Sequence, residues 1–146
     1  MDVTLRFDVS LDSEEPRRIA EQFERFGAEN GLPERTVFGF QLALDEILTN
    51  VISYGFPADA QDAVITVTLH LNDTEVGAVI VDNGKPFNPL EDAAEPDVAL
   101  PASDRTIGGL GIHLTKAFVQ KLTYERVDGC NRLNLVQPLE APEDDA

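Results

Sequence analysis

The sequence predicts one α/β domain. Three observations carry that reading: strict alternation of apolar and polar residues at the N-terminus, an apolar stripe running about five helical turns in the middle, and two pairs of short strand-like segments joined by turn residues. The length of 146 residues is that of one ordinary domain, and an apolar content of 42% is enough to build a core.

Val3, Leu5, Phe7 and Val9 alternate with polar or charged residues and predict an opening strand. Ser13 then precedes Glu14-Glu15-Pro16, which puts acids and a proline in a first helical turn. Apolar positions at Ile19, Phe23 and Phe26 extend that helix over about 14–29. Asn30-Gly31 closes it as a left-handed cap, and Pro33-Glu34 starts a second helix. Val37, Phe40, Leu44, Ile47, Leu48, Val51 and Ile52 then recur at steps of mostly three and four, so one face of this helix turns inward. Tyr54-Gly55-Phe56-Pro57 ends it, with Gly55 as a left-handed cap.

Val64, Val67, Leu69 and Leu71 predict the next strand and Val76 to Val81 its partner, with Asn72-Asp73 as the hairpin turn. The stretch 82–106 holds Pro86, Pro89, Pro96 and Pro101 and shows no period, so a long loop is expected. Gly108-Gly109-Leu110-Gly111 opens a third helix through Ile112, Leu114, Ala117, Phe118 and Leu122. Two last strands, about 122–128 and 131–137, meet at Asp128-Gly129, and residues 140–146 read as an acidic solvated tail.

Composition excludes several functions. With 27 acids against 11 bases the formal charge is −16, which opposes binding to duplex nucleic acid or an anionic membrane surface. Nine of the acids lie in 90–104 and 140–146, two segments without a base, where solvent screens their repulsion. A lone Cys130 rules out an intrachain disulfide and a cysteine metal cluster, and fits a reducing, cytoplasmic setting. The N-terminus has no basic segment followed by an apolar run, and the longest apolar stretch, 76–81, is far short of a membrane span.

Three patterns could carry chemistry. Glu46 and Asn50 lie four apart on the second helix, so a carboxylate and an amide oxygen share a face beside the apolar stripe. The carboxylate suits a general base and the amide oxygen suits Mg²⁺; a solvent-facing pair is the plainer alternative, and Asp45 competes for either role. Asp82-Asn83-Gly84 ends a strand with an acid that could accept a hydrogen bond from an exocyclic amine and a glycine that admits a planar ligand; it is equally good turn chemistry. Gly108, Gly109 and Gly111 ahead of an apolar helix free backbone N–H groups at its positive end, as phosphate binding requires. The pattern is neither a Walker loop nor a dinucleotide fingerprint. Arg105 could bridge a terminal phosphate or merely balance Asp104, and His113 reads as a packed or surface imidazole.

Taken in order, the stretches 42–50 (LALDEILTN), 81–89 (VDNGKPFNP) and 107–113 (IGGLGIH) resemble the stand-alone serine kinase and anti-sigma factor group of the Bergerat-type ATP-binding superfamily, over about residues 3–138. That resemblance implies a two-layer α/β sandwich, a mixed sheet with helices on one face, forming an ATP-binding domain over 1–139. It implies ATP and Mg²⁺ as cofactors, Asn50 at the metal, Glu46 as base toward a protein serine, and Asp82 on the adenine amino group. Gly84 would let adenine approach; Gly108, Gly109, Leu110 and Gly111 would line the phosphates. Asn131 stands where related domains often have threonine, and would support Asp82. The segment of about 83–107 would be a lid. The implied partners are a STAS-type anti-anti-sigma protein as substrate, sometimes a sigma factor, and a second copy of the chain. The alternative is a non-catalytic module whose nucleotide occupancy switches its affinity for a partner.

Overall fold

The structure, a computed structural model, describes residues 2–57, 59–88 and 121–139. The elements run β1 (Val3–Val9), α1 (Glu15–Glu29), α2 (Glu34–Tyr54), β2 (Ile65–Leu71), β3 (Glu75–Asp82), β4 (Lys121–Val127) and β5 (Cys130–Pro138). The strands form one sheet in the order β1-β2-β3-β5-β4. The two-layer sandwich is as expected, but the sheet expected to be mixed is antiparallel in every pairing among the described residues. The β2-β3 and β4-β5 hairpins can only be antiparallel, and the two helices return the chain to set β2 against β1 in the same sense.

Alternation decides which face of the sheet is covered. Ile65, Val67 and Leu69 of β2, Val76, Ala78 and Ile80 of β3, and Leu133 and Leu135 of β5 are all buried, against Ile19, Phe23 and Phe26 of α1 and Phe40, Ala43, Leu44, Ile47 and Leu48 of α2. Phe23 is the keystone between the helices: its ring stacks on Phe40 at 5.1 Å and meets Phe26 at 5.8 Å. Burying each such side chain contributes roughly 1.5–3 kcal/mol.

The ends differ from the sequence reading in informative ways. Ser13 does not cap α1; the Asp12 carboxylate accepts from the Glu14 N–H at 2.8 Å, and Glu15 reaches back to the Ser10 N–H at 2.9 Å. Gly31 is left-handed as expected, with φ 69°, but Gly55 is not, at φ −79°. Gly55 is needed for space: a Cβ there would stand 2.6 Å from the Val51 carbonyl oxygen. In the β2-β3 turn Asn72 is the first corner rather than a central residue, its side chain accepting from the Thr74 and Glu75 N–H groups at 2.8 and 2.9 Å. Asp128 and Gly129, at φ 53° and 78°, form the tight turn that their sequence predicts.

Candidate active site

The last turns of α2, the end of β3 and the β4-β5 hairpin enclose a pocket lined by Ile47, Asn50, Val51, Gly55, Ile80, Asp82, Lys85, Phe87, Tyr124, Asn131 and Leu133. Its walls are mostly apolar and three polar side chains converge in it, the usual composition of a small-molecule site. Asn50, Asp82 and Asn131 are also the buried polar residues of the described chain, at 4%, 4% and 6% exposure.

Asn50 lies on the inward side of α2, so the solvent-facing reading of the Glu46/Asn50 pair does not hold for it. Its side chain hydrogen-bonds to the Glu46 carboxylate, which requires the amide N–H to donate. Asn50 Oδ1 is then buried without a partner, the one such side-chain atom among the described residues. An orphaned hard oxygen acceptor in a polar corner fits a divalent cation or its water shell, and no cluster of three or more ligating residues exists among the described residues. A Mg²⁺ ion here could take Asn50 Oδ1 as a ligand, with the ligand's phosphates and water completing its shell.

Glu46 does not line the pocket; it reaches it through Asn50. Partial burial pushes its carboxyl above the ordinary range, the Asn50 hydrogen bond opposes this, and the negative charge of Asp45 adds to it. Asp45 itself is exposed and lines an outer groove between α1 and α2 with Arg17, Glu21 and Gln41. That placement removes Asp45 as a competitor for the role at Asn50.

Asp82 ends β3 with its side chain inward. Its Oδ1 accepts from the Gly84 N–H at 2.9 Å and from Asn131 Nδ2 at 3.0 Å. Burial raises its carboxyl above the ordinary range, offset in part by those two hydrogen bonds and the Arg126 charge. Asp82 Oδ2 carries no hydrogen bond among the described residues, so one acceptor remains for a ligand. Gly84 has a second reason to be glycine: a Cβ would lie 2.5 Å from the Gly55 carbonyl oxygen, where the loop passes under the end of α2. Asn83 points the other way and bolts the loop to the start of β2, accepting from the Val64 N–H and donating to the Asp62 carbonyl, both at 2.8 Å.

Sequence reasoning missed Tyr124, Arg126, Lys85 and Phe87. Arg126 Nη1 donates to the Gly84 carbonyl at 2.8 Å and clamps the loop from β4. The alternation of Leu122 and Tyr124 toward the core was the available signal for Tyr124. Arg105, Gly108, Gly109, Leu110, Gly111, the third helix with His113, the proposed lid beyond residue 88 and the tail all lie outside the described residues.

The histidine kinase-like ATPase domain family matches residues 9–137, nearly the whole chain. The chain belongs to that family. Over 109 residues the chain is 37% identical to the serine/threonine-protein kinase BtrW of Bordetella bronchiseptica, covering 75% of each protein. Among solved structures, the RsbU and RsbW domains of Rv1364c from Mycobacterium tuberculosis superpose with TM-score 0.69 at 18% identity, over 96% of this chain. The match covers 33% of that larger chain. The histidine kinase domain of a blue-light activated kinase from Erythrobacter litoralis superposes with TM-score 0.56 at 18% identity, over 87% of this chain and 60% of the other. These two likenesses show the ATPase-domain fold. Membership of a histidine kinase-like ATPase family implies nucleotide binding, and Asn50 and Asp82 both line the pocket. No helix among the described residues is long and apolar enough to cross a membrane.

Proposed function

We propose that this chain is an ATP-dependent protein serine kinase and anti-sigma regulator, acting on a STAS-type anti-anti-sigma partner. The observation that carries the reading is the pairing, in one pocket, of an unpartnered buried Asn50 Oδ1 with an Asp82 carboxylate that keeps one oxygen free. The kinship to a protein named a serine/threonine kinase supports it.

Asp82 Oδ2 accepts from the amino group of adenine, and the apolar walls from Ile80, Val51 and Leu133 hold the base. Asn50 Oδ1 would hold Mg²⁺, which when bound would supply positive charge against the phosphates. Glu46 takes the proton from the attacking serine hydroxyl as the γ-phosphoryl group passes to its oxygen and ADP leaves; the proton then goes to solvent. A carboxyl raised by burial is a better acceptor than an ordinary one at neutral pH. Positioning and charge neutralisation supply most of the acceleration in phosphoryl transfer, so this small set suffices. Gly108, Gly109, Leu110 and Gly111 line the phosphates, as the resemblance implies, and Arg105 meets the terminal one. A sigma factor as second ligand and a homodimeric assembly belong to the same reading.

The test is transfer of label from γ-labelled ATP to a serine of a STAS-type protein. Transfer that Glu46→Gln abolishes while ATP still binds is the expected result. Nucleotide binding with no transfer to any STAS substrate would instead make the chain a nucleotide-gated binding switch.

A further inference from the structure

Asn131 is saturated. Its Nδ2 donates to Asp82 Oδ1 at 3.0 Å and to the Lys85 carbonyl at 2.8 Å, while its Oδ1 accepts from the Phe87 N–H at 3.3 Å and from the Tyr124 hydroxyl. An amide turned over would set its oxygen against two acceptors, Asp82 Oδ1 and the Lys85 carbonyl, and an N–H against the Phe87 N–H donor. The register places these groups together: Asn131 lies opposite Asp82 in the β3-β5 ladder, and Tyr124 faces the same side from β4, with Leu133 as its ladder partner.

We infer that Tyr124 is a positioning residue for purine selectivity, acting on Asp82 through the Asn131 amide. This rests on the adenine role proposed for Asp82. The phenol fixes the amide with its N–H toward Asp82 Oδ1, and that hydrogen bond fixes which carboxylate oxygen is spent on the protein. The other oxygen then faces the pocket as a pure acceptor. Adenine presents a donor there; guanine presents its O6 acceptor at the matching position, and two acceptors repel. Tyr124 also forms part of the pocket wall, but a wall needs only its ring.

Tyr124→Phe deletes one oxygen and keeps the ring, so it separates the two roles. Dissociation constants for ATP and GTP are measured on the full chain by calorimetry for the wild type, Tyr124→Phe, Asn131→Ala and the double variant. The expected result is an ATP-over-GTP ratio that falls about three- to tenfold in Tyr124→Phe and further in Asn131→Ala, the loss of one hydrogen bond in a positioned network. The double variant should match Asn131→Ala, because the phenol acts only through that amide. An unchanged ratio in Tyr124→Phe, or losses that simply add in the double variant, would overturn the inference while leaving the kinase reading intact. A wild type that binds neither nucleotide would overturn the adenine role itself.

Discussion

The amide of Asn50 donates to the Glu46 carboxylate one helical turn earlier, and by doing so leaves its own Oδ1 buried with nothing to accept from. The proposed proton acceptor and the proposed metal-binding oxygen thus lie one turn apart, and a buried oxygen without a partner carries a cost to the fold.

That cost is measurable. Asn50→Leu, close in volume and without the orphaned acceptor, should leave the ligand-free protein as stable or more stable by about 1 kcal/mol in urea unfolding, since an unsatisfied buried polar atom costs roughly 1–3 kcal/mol. The same variant should lose the Mg²⁺ dependence of ADP affinity seen when the wild type is titrated with and without EDTA. Marked destabilisation together with an intact Mg²⁺ effect would reject the assignment.

Glu46 gives a pH signature. Its folded carboxyl lies above the ordinary range, so the folded state holds a proton there that the unfolded chain has released. Its stabilising contribution is complete below the ordinary carboxylate pKa and is lost as pH rises through the raised value. Phosphoryl transfer runs in the opposite direction, because a base must be ionised. The rate should climb as pH rises through the same range and then level off, and Glu46→Gln, which should abolish transfer, should flatten the stability profile.

Asp82→Asn should be nearly silent for folding and severe for binding. The new amide oxygen can still accept from Gly84 and Asn131, but the pocket-facing atom becomes a donor that opposes the amino group of adenine. ATP affinity should fall about a hundredfold with the urea midpoint unchanged or raised. A hundredfold loss accompanied by global destabilisation would show that the carboxylate matters mainly to the fold.

Gly84→Ala places a methyl group 2.5 Å from the Gly55 carbonyl oxygen, so the loop or the end of α2 must move. We expect a loss of about 1–3 kcal/mol and weaker ADP binding, because the shift also draws the Gly84 N–H away from Asp82. Thermal unfolding with and without ADP checks both effects.

Periodicity made the elements legible: the stripe from Phe40 to Leu48 carries its burial pattern several times over, and Val3 to Val9 alternates in residue type although only Val9 of its apolar positions is fully buried. The Glu46/Asn50 pair and the Asp82/Gly84 turn were legible for a related reason, since each is local and its spacing determines its geometry. Tyr124, Arg126 and Asn131 reach Asp82 or Gly84 across 42 to 49 positions of chain, directly or through one intermediate. Only the ladder register joins them, and a register is written in no single segment. Asn131 was reachable through resemblance, whereas Tyr124 and Arg126 had no counterpart to point to them. The left-handed cap expected at Gly55 failed because a glycine ahead of a proline reads as a turn, when here its backbone stays right-handed and the missing side chain leaves room for the Val51 carbonyl of its own helix.

Asp82 is hydrogen-bonded into the sheet on both sides, opposite Ile65 in β2 and Asn131 in β5. The atom proposed to meet the ligand is therefore carried by a strand paired on both sides, and little conformational entropy is left to lose when a base arrives. Substitutions around this anchor should show themselves in how quickly a nucleotide leaves; the rate at which it enters should stay nearly constant across the series.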